Sequence, residues 1–210
     1  TFDMLMAYRD FPRAFGDEYD ARGLPGPNRV PDVLDEARHG LDWLLAMYPR
    51  PNVMFNQLGD DRDHTNLHVF IDDQTDYGWG KGGARPIYPC TGAPQGLFRY
   101  KNRSTGIAST AGKFASAFAL GAQIYREREP RYAATLRRKA IEAYRLGQLH
   151  PGVCQTAPAT APYYYQEADY ADDMELAAAE LYALTRDARY LREGIAYAKM
   201  QPVKPWMGLD

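Results

Sequence analysis

The residues best suited to chemistry gather in two irregular stretches of the chain. In the first, His64 directly follows Asp63, and Asp60, Asp61, Asp72, Asp73 and Asp76 lie close by. An imidazole beside a carboxylate can hydrogen-bond a hydroxyl or move a proton near neutral pH, although a loop histidine more often bonds to nearby backbone. So many carboxylates also suit calcium, which prefers oxygen ligands; their spacing does not match an EF-hand loop, and a solvated acidic loop is the simpler reading. No cofactor is otherwise implied. The same stretch carries Tyr77 and Trp79, flat amphipathic rings of the kind that stack on sugars or pack within a loop. In the second stretch, Tyr163, Tyr164 and Tyr165 precede Glu167, and Asp172 and Asp173 follow at a helix start. Carboxylates there favour the helix dipole and the free N–H groups of the first turn. Cys90 and Cys154 are the only two cysteines. Two cysteines are not a disulfide framework, and they read as two unrelated buried thiols with no metal-ligand spacing.

The elements that must position these groups are helical. Residues Thr1 to Phe15 have helical spacing but form a short segment, and Gly16 to Pro31 is a glycine- and proline-rich loop. From Asp32 to Tyr48, Val33, Leu34, Ala37, Leu41, Leu44, Leu45 and Tyr48 recur at intervals of three and four, which predicts an amphipathic helix ended by Pro49 and Pro51. Between Pro49 and Arg103 neither period is sustained, and a structureless stretch of that length in a compact domain points to a ligand-facing role. Helical spacing resumes at Ser104, with an apolar stripe of Ile107, Ala111, Phe114, Phe118 and Ile124 among small residues that permit close approach. A short break at Glu129-Pro130 leads to a second helix, Tyr132 to Leu146. The pattern then repeats: a loop from Gly147 to Asp169, a helix from Tyr170 to Leu184, a turn at Thr185-Arg186, and a helix from Asp187 to Lys199. Helices joined by so few residues pack as antiparallel hairpins. Each hairpin has a face it can bury only against its neighbours, so the repeat predicts an all-α toroid with its long connections gathered at one end.

Composition narrows the partners. A net charge of -2 gives no basic footprint for nucleic acid, and no stretch is long and apolar enough to span a bilayer. Sixteen tyrosines and three tryptophans supply more stacking surface than is usual.

Four collinear motifs resemble glycoside hydrolase family 9. Val30-Pro31-Asp32-Val33-Leu34-Asp35-Glu36, continued by Leu41-Asp42-Trp43-Leu44-Leu45, is similar to the family's Pro-Asp-(aliphatic)-Leu-Asp-Glu stretch and the Leu-Asp-Trp-Leu-Leu helix behind it. Gly59-Asp60 through Asp63-His64 resembles its Gly-Asp…Asp-His segment. Ser104 to Phe118 resembles its small-residue helix. Tyr170-Ala171-Asp172-Asp173-Met174 through Leu181-Tyr182 resembles its Tyr-x-Asp-(acid)-(aliphatic) helix, and Thr185-Arg186-Asp187 follows where the family has Thr-Gly-Asp.

The resemblance implies an (α/α)6 toroid of helix hairpins, with residues 1–210 an internal part of one catalytic domain cut at both ends. It implies inverting hydrolysis of β-1,4-linked glucan, a reaction that needs an ionised carboxylate to activate water and a protonated carboxyl to release the leaving oxygen. The family's base lies in an Asp-Ala-Gly-Asp motif, which this sequence lacks, and its acid lies beyond the matched region, so no catalytic residue is expected here. Asp63 and His64 match the family's substrate-facing pair, and Asp172 matches its cleft-facing acid. Asp173 sits about 100° further round the helix and cannot face the same ligand equally. Some members have a tryptophan where this chain has Glu167, which moves the expected stacking role to a tyrosine of the triplet Tyr163, Tyr164 and Tyr165, or to Trp79 or Tyr77, although packing within the loop is the more common fate of such rings. The expected partner is a polysaccharide or oligosaccharide, met outside the cytoplasm by a secreted or periplasmic protein. A β-glucosidase-like or aminosugar-specific enzyme, and a non-catalytic glycan-binding protein on the same toroid, are the rival readings.

Overall fold

The computed structural model describes residues 1–63, 74–162 and 167–201. Helix α1 (Phe2–Asp10) is followed by a 3-10 turn (Pro12–Ala14), and α2 (Asp32–Met47) precedes two short strands, β1 (Phe55–Leu58) and β2 (Ile87–Pro89). Two hairpins complete the chain: α3 (Ala108–Ile124) with α4 (Pro130–Leu149), and α5 (Ala171–Thr185) with α6 (Ala188–Met200). The helices thus fall within a few residues of the periodic segments.

Helix α3 is the centre of the packing, set mainly against α4 and α5. Apart from the exposed Lys113, every residue from Ala108 to Ala122 is buried, rather than only the stripe the sequence suggests. Glycine makes this close approach workable: a Cβ on Gly112 would meet the Asp173 carbonyl carbon of α5 at 2.6 Å, and one on Gly121 would meet Leu41 of α2 at 2.8 Å. Long polar side chains tie the helix ends. The Tyr125 hydroxyl donates to the Leu34 carbonyl at 2.5 Å, and the buried Lys139 ammonium donates to the Tyr48 carbonyl at 2.6 Å, satisfying an acceptor at the end of α2.

The strands are the main departure from the expected fold. β1 and β2 pair antiparallel with Gln57 opposite Tyr88 and Leu58 opposite Ile87, and a bulge separates Phe55 from Gln57. Segments of three or four residues are too short to display a period of two. Helix α3 also begins at Ala108 rather than Ser104, because Thr105 and Gly106 donate instead to the Val153 carbonyl, at 2.9 and 3.1 Å.

Arg186 joins α5 to α6 in the left-handed region, with φ 61°, at a position where a side chain costs energy. Arg186→Gly is expected to stabilise the protein by about 0.5–1 kcal/mol, the steric relief being partly offset by the extra freedom of an unfolded glycine. A urea midpoint that stays put or falls would contradict this.

Candidate functional site

Two loops flank the candidate residues in the chain, Gly59–Asp63 and the segment 150–162. Their backbones are fastened to each other by side chains about a hundred residues apart in sequence. Asp61 is the main fastener. Its carboxylate accepts from the N–H groups of Ala159 (2.7 Å), Thr160 (3.0 Å) and Ala161 (2.7 Å), and from the Thr160 hydroxyl (3.0 Å). Gln57 adds a two-way bond, accepting from Ala157 N–H at 2.6 Å and donating to its carbonyl at 3.2 Å. Asn102 donates to the carbonyls of Gln155 and Thr156, and the hydroxyls of Ser104 and Ser109 accept from Gln155 and Cys154.

The cysteines close the same seam. Cys90 and Cys154 form a disulfide, with Cα atoms 5.9 Å apart, which corrects the reading of them as unrelated thiols. Cys90 leaves β2 with its N–H on the Met54 carbonyl, and Cys154 is held by Ser109, so the fold delivers both to one place.

The remaining acids of the first loop serve the protein around them. Asp60 is buried against Arg62 at 2.6 Å and receives the Tyr88 hydroxyl. Burial opposes its ionisation, but the Arg62 and Tyr88 hydrogen bonds prevail and hold it below the usual carboxylate range. Tyr88 is pushed well up, first by burial and then by Asp60. Asp63 accepts from the Tyr77 hydroxyl at 2.7 Å and lies 3.8 Å from the Arg85 guanidinium. Asp76 accepts from Gly78 and Gly80 N–H. Among the described residues no group of three or more His, Cys, Asp and Glu side chains is placed to hold a metal ion. His64, Asp72 and Asp73 lie outside the described residues, as do Tyr163, Tyr164 and Tyr165.

At the start of α5 the two acids separate. Asp172 is exposed, and Asp173 turns inward, its side chain 13% exposed, 3.2 Å from the Lys113 ammonium of α3. Lys113 also pairs with Glu167, whose carbonyl accepts from Gln155 Nε2 at 2.7 Å. Burial first, then the neighbouring Glu167 and Asp172 charges, push the Asp173 carboxyl up to about 7 against the pull of Lys113. Just before the helix, Asp169 accepts from Tyr170 and Ala171 N–H, satisfying a free donor at the helix start. Sequence reasoning missed Asp169, Lys113 and the Asp61 fastening. An Asp shortly before a helix carries a capping signal that could have been found; the other two depend on partners far away in the chain.

Trp79 stands on a turn anchored to the first loop, its Nε1–H on the Ala84 carbonyl at 2.9 Å. An open groove of about 720 Å³ lies apart from these residues, lined by Met4, Tyr19, Asp32, Asp35, Glu36 and His39. No helix among the described residues is long and apolar enough to cross a membrane.

Helix hairpins whose long connections build one wall are the architecture of the (α/α)6 glycoside hydrolase barrels. The sequence model of glycosyl hydrolase family 9 matches residues 1–207, and the chain belongs to that family. It is 26% identical to Endoglucanase 19 of Arabidopsis thaliana over 84% of this chain and 25% of that protein. It is 30% identical to an endoglucanase of Dictyostelium discoideum over 78% of this chain and 21% of that protein. Among solved structures, a metagenome-derived family 9 endoglucanase superposes with a TM-score of 0.66 at 26% identity, covering 96% of this chain and 33% of that one. The chain therefore spans about a quarter of the length of the curated relatives.

Proposed function

We propose that this chain is the cleft wall of an enzyme that hydrolyses β-1,4-linked glucan with inversion. The observation that carries the reading is the family match along residues 1–207, and endoglucanases are among the relatives. Inversion requires two carboxyl groups far enough apart to admit water, and no metal or organic cofactor. The base motif is not among these 210 residues, so we assign both catalytic carboxyls to the rest of the protein. His64, Asp172 and Tyr165 are assigned to the sugar. Asp63, with its carboxylate committed to Tyr77, holds the loop that leads into His64. Polymeric glucan lies outside the cytoplasm, which makes a secreted or periplasmic enzyme the matching assignment.

The full-length protein is expected to hydrolyse carboxymethylcellulose and to release the α-anomer first from cello-oligosaccharides, read by proton NMR. Initial release of the β-anomer would rule out inversion, and no turnover on any β-glucan would favour a glycan-binding protein. His64→Ala is expected to lower turnover by about ten- to a hundredfold, the worth of a hydrogen bond to a reacting sugar, with little change in melting temperature. Parent-like turnover would remove His64 from the site.

A further inference from the structure

Helix α3 carries one charged residue among its seventeen, Lys113. It is also the only exposed position between Ala108 and Ala122. A charge set in so apolar a helix needs partners, and Lys113 has two. Its ammonium pairs with Glu167, in the segment leading to α5, and lies 3.2 Å from a carboxyl oxygen of Asp173 in the first turn of that helix. Gly112 allows this reach: without a side chain there, the α5 backbone at Asp173 comes up against α3. The two acids are held differently. Glu167 receives a hydrogen bond from the ammonium, whereas the buried Asp173 Oδ2 has no aligned donor. The backbone of Glu167 is itself tied. Its carbonyl accepts from Gln155, whose side-chain oxygen accepts from Arg103 N–H at 2.6 Å. One ammonium thus joins α3, the start of α5 and the segment 150–162.

We propose that Lys113 is a positioning residue for the exposed Asp172 carboxylate, and that its hold on Glu167 is firm while Asp173 keeps its proton and slackens once Asp173 is ionised. The proposal rests on the reading of Asp172 as a sugar-facing acid in a β-glucan hydrolase. The physical argument is a competition. With Asp173 neutral, one ammonium faces one carboxylate, and the Lys113–Glu167 pair is balanced. With Asp173 ionised, two carboxylates share that ammonium. The buried one has less water to solvate it and gains more from the pairing, so the ammonium turns inward and Glu167 is left beside a like charge. The charges acting most strongly on Asp173 are Lys113, Glu167 and Asp172, and none of these comes from α4 or α6, the other helices packed on α5. Burial leads in raising the Asp173 carboxyl to about 7, which places the change near neutral pH. Asp172 lies between Glu167 and Asp173 in the chain, so a loosened start of α5 displaces the carboxylate assigned to the sugar.

The full-length protein is compared with Asp173→Asn, Lys113→Met, Lys113→Arg and Glu167→Gln. The readouts are kcat and KM on cello-oligosaccharides across the pH range, and hydrogen exchange of the amides of residues 167–172, with α3 amides as the reference for overall stability. Above about pH 7 the parent is expected to fall about three- to fivefold below Asp173→Asn in kcat/KM and in protection, the worth of a partly exposed ion pair, and to match it near pH 5. Lys113→Met should sit at the lower level at every pH, and Lys113→Arg should restore the parent's profile. Glu167→Gln weakens the same tie from its outer end, leaves the packing of α3 intact, and should match Lys113→Met. Parent and Asp173→Asn profiles that superimpose overturn the proposal, and so does parent-like behaviour of Glu167→Gln. A gain in protection that Asp173→Asn shares equally with α3 reports overall stability alone and also overturns it. The expected exchange pattern in a protein that cleaves no β-glucan would support the tie while removing the hydrolase reading.

Discussion

Asp61→Ala is expected to be among the most destabilising single substitutions in the wall. Asp61 is 7% exposed, and among the described residues its carboxylate receives the hydrogen bonds that fasten Ala159, Thr160 and Ala161 to the first loop. Removing it leaves those N–H groups facing a small void with no acceptor. Each buried donor left without an acceptor costs about 1–3 kcal/mol, so losing several at once stands well above a typical surface change. The effect is read by urea unfolding of the full-length protein, with hydrogen exchange at the amides of residues 159–161 as the local measure. Those amides should lose protection first. A stability change below about 1 kcal/mol with protection intact would show that Asp61 does not hold the seam. Asp61→Asn should fall between, because the amide keeps one acceptor oxygen but turns its NH2 toward donors.

The second large effect concerns pH. The Asp173 carboxyl moves from its ordinary value of 3.8 to about 7 in the folded chain, with burial the leading cause. The folded protein therefore holds a proton that the unfolded chain releases across that interval. Stability falls as pH rises from about 4 to about 7, and the full penalty persists above 7. Asp173→Asn keeps the shape and removes the charge, and Lys113 retains Glu167 as a partner. The variant is expected to be more stable than the parent at pH 8, by about 1–3 kcal/mol, and close to it at pH 5. Urea unfolding at the two pH values measures the difference. Equal or lower stability of the variant at pH 8 would mean that the Lys113 pairing outweighs burial.

The two predictions differ in how far the sequence anticipates them. A carboxylate pair at a helix start is visible in Asp172 and Asp173, and so is the fact that they point about 100° apart. Which of them turns inward depends on α3. Gly112 lets that helix come so close that the Asp173 backbone rests on it, and Lys113, the next residue, then meets the Asp173 side chain. The resemblance selects Asp172 as the ligand-facing acid, and its exposure leaves it free for that proposed role.

What the sequence determines by itself is the set of helices and their pairing. Periodicity of three and four marks α2 through α6, Pro49 and Pro51 end α2, and the two-residue link between α5 and α6, Arg186-Asp187 in the structure, allows only an antiparallel return. These are local constraints, fixed by side-chain spacing and backbone chemistry within a few residues. The wall is different. Asp61 and Ala159, Cys90 and Cys154, and Lys113 and Glu167 are joined across 98, 64 and 54 positions. A carboxylate, a thiol or an ammonium carries no mark of its partner, because electrostatic and hydrogen-bond energies depend on distance in space. Only the close packing of α3 against α4 and α5 brings the two long loops together. That packing decides which acids are held by protein partners and which stay exposed.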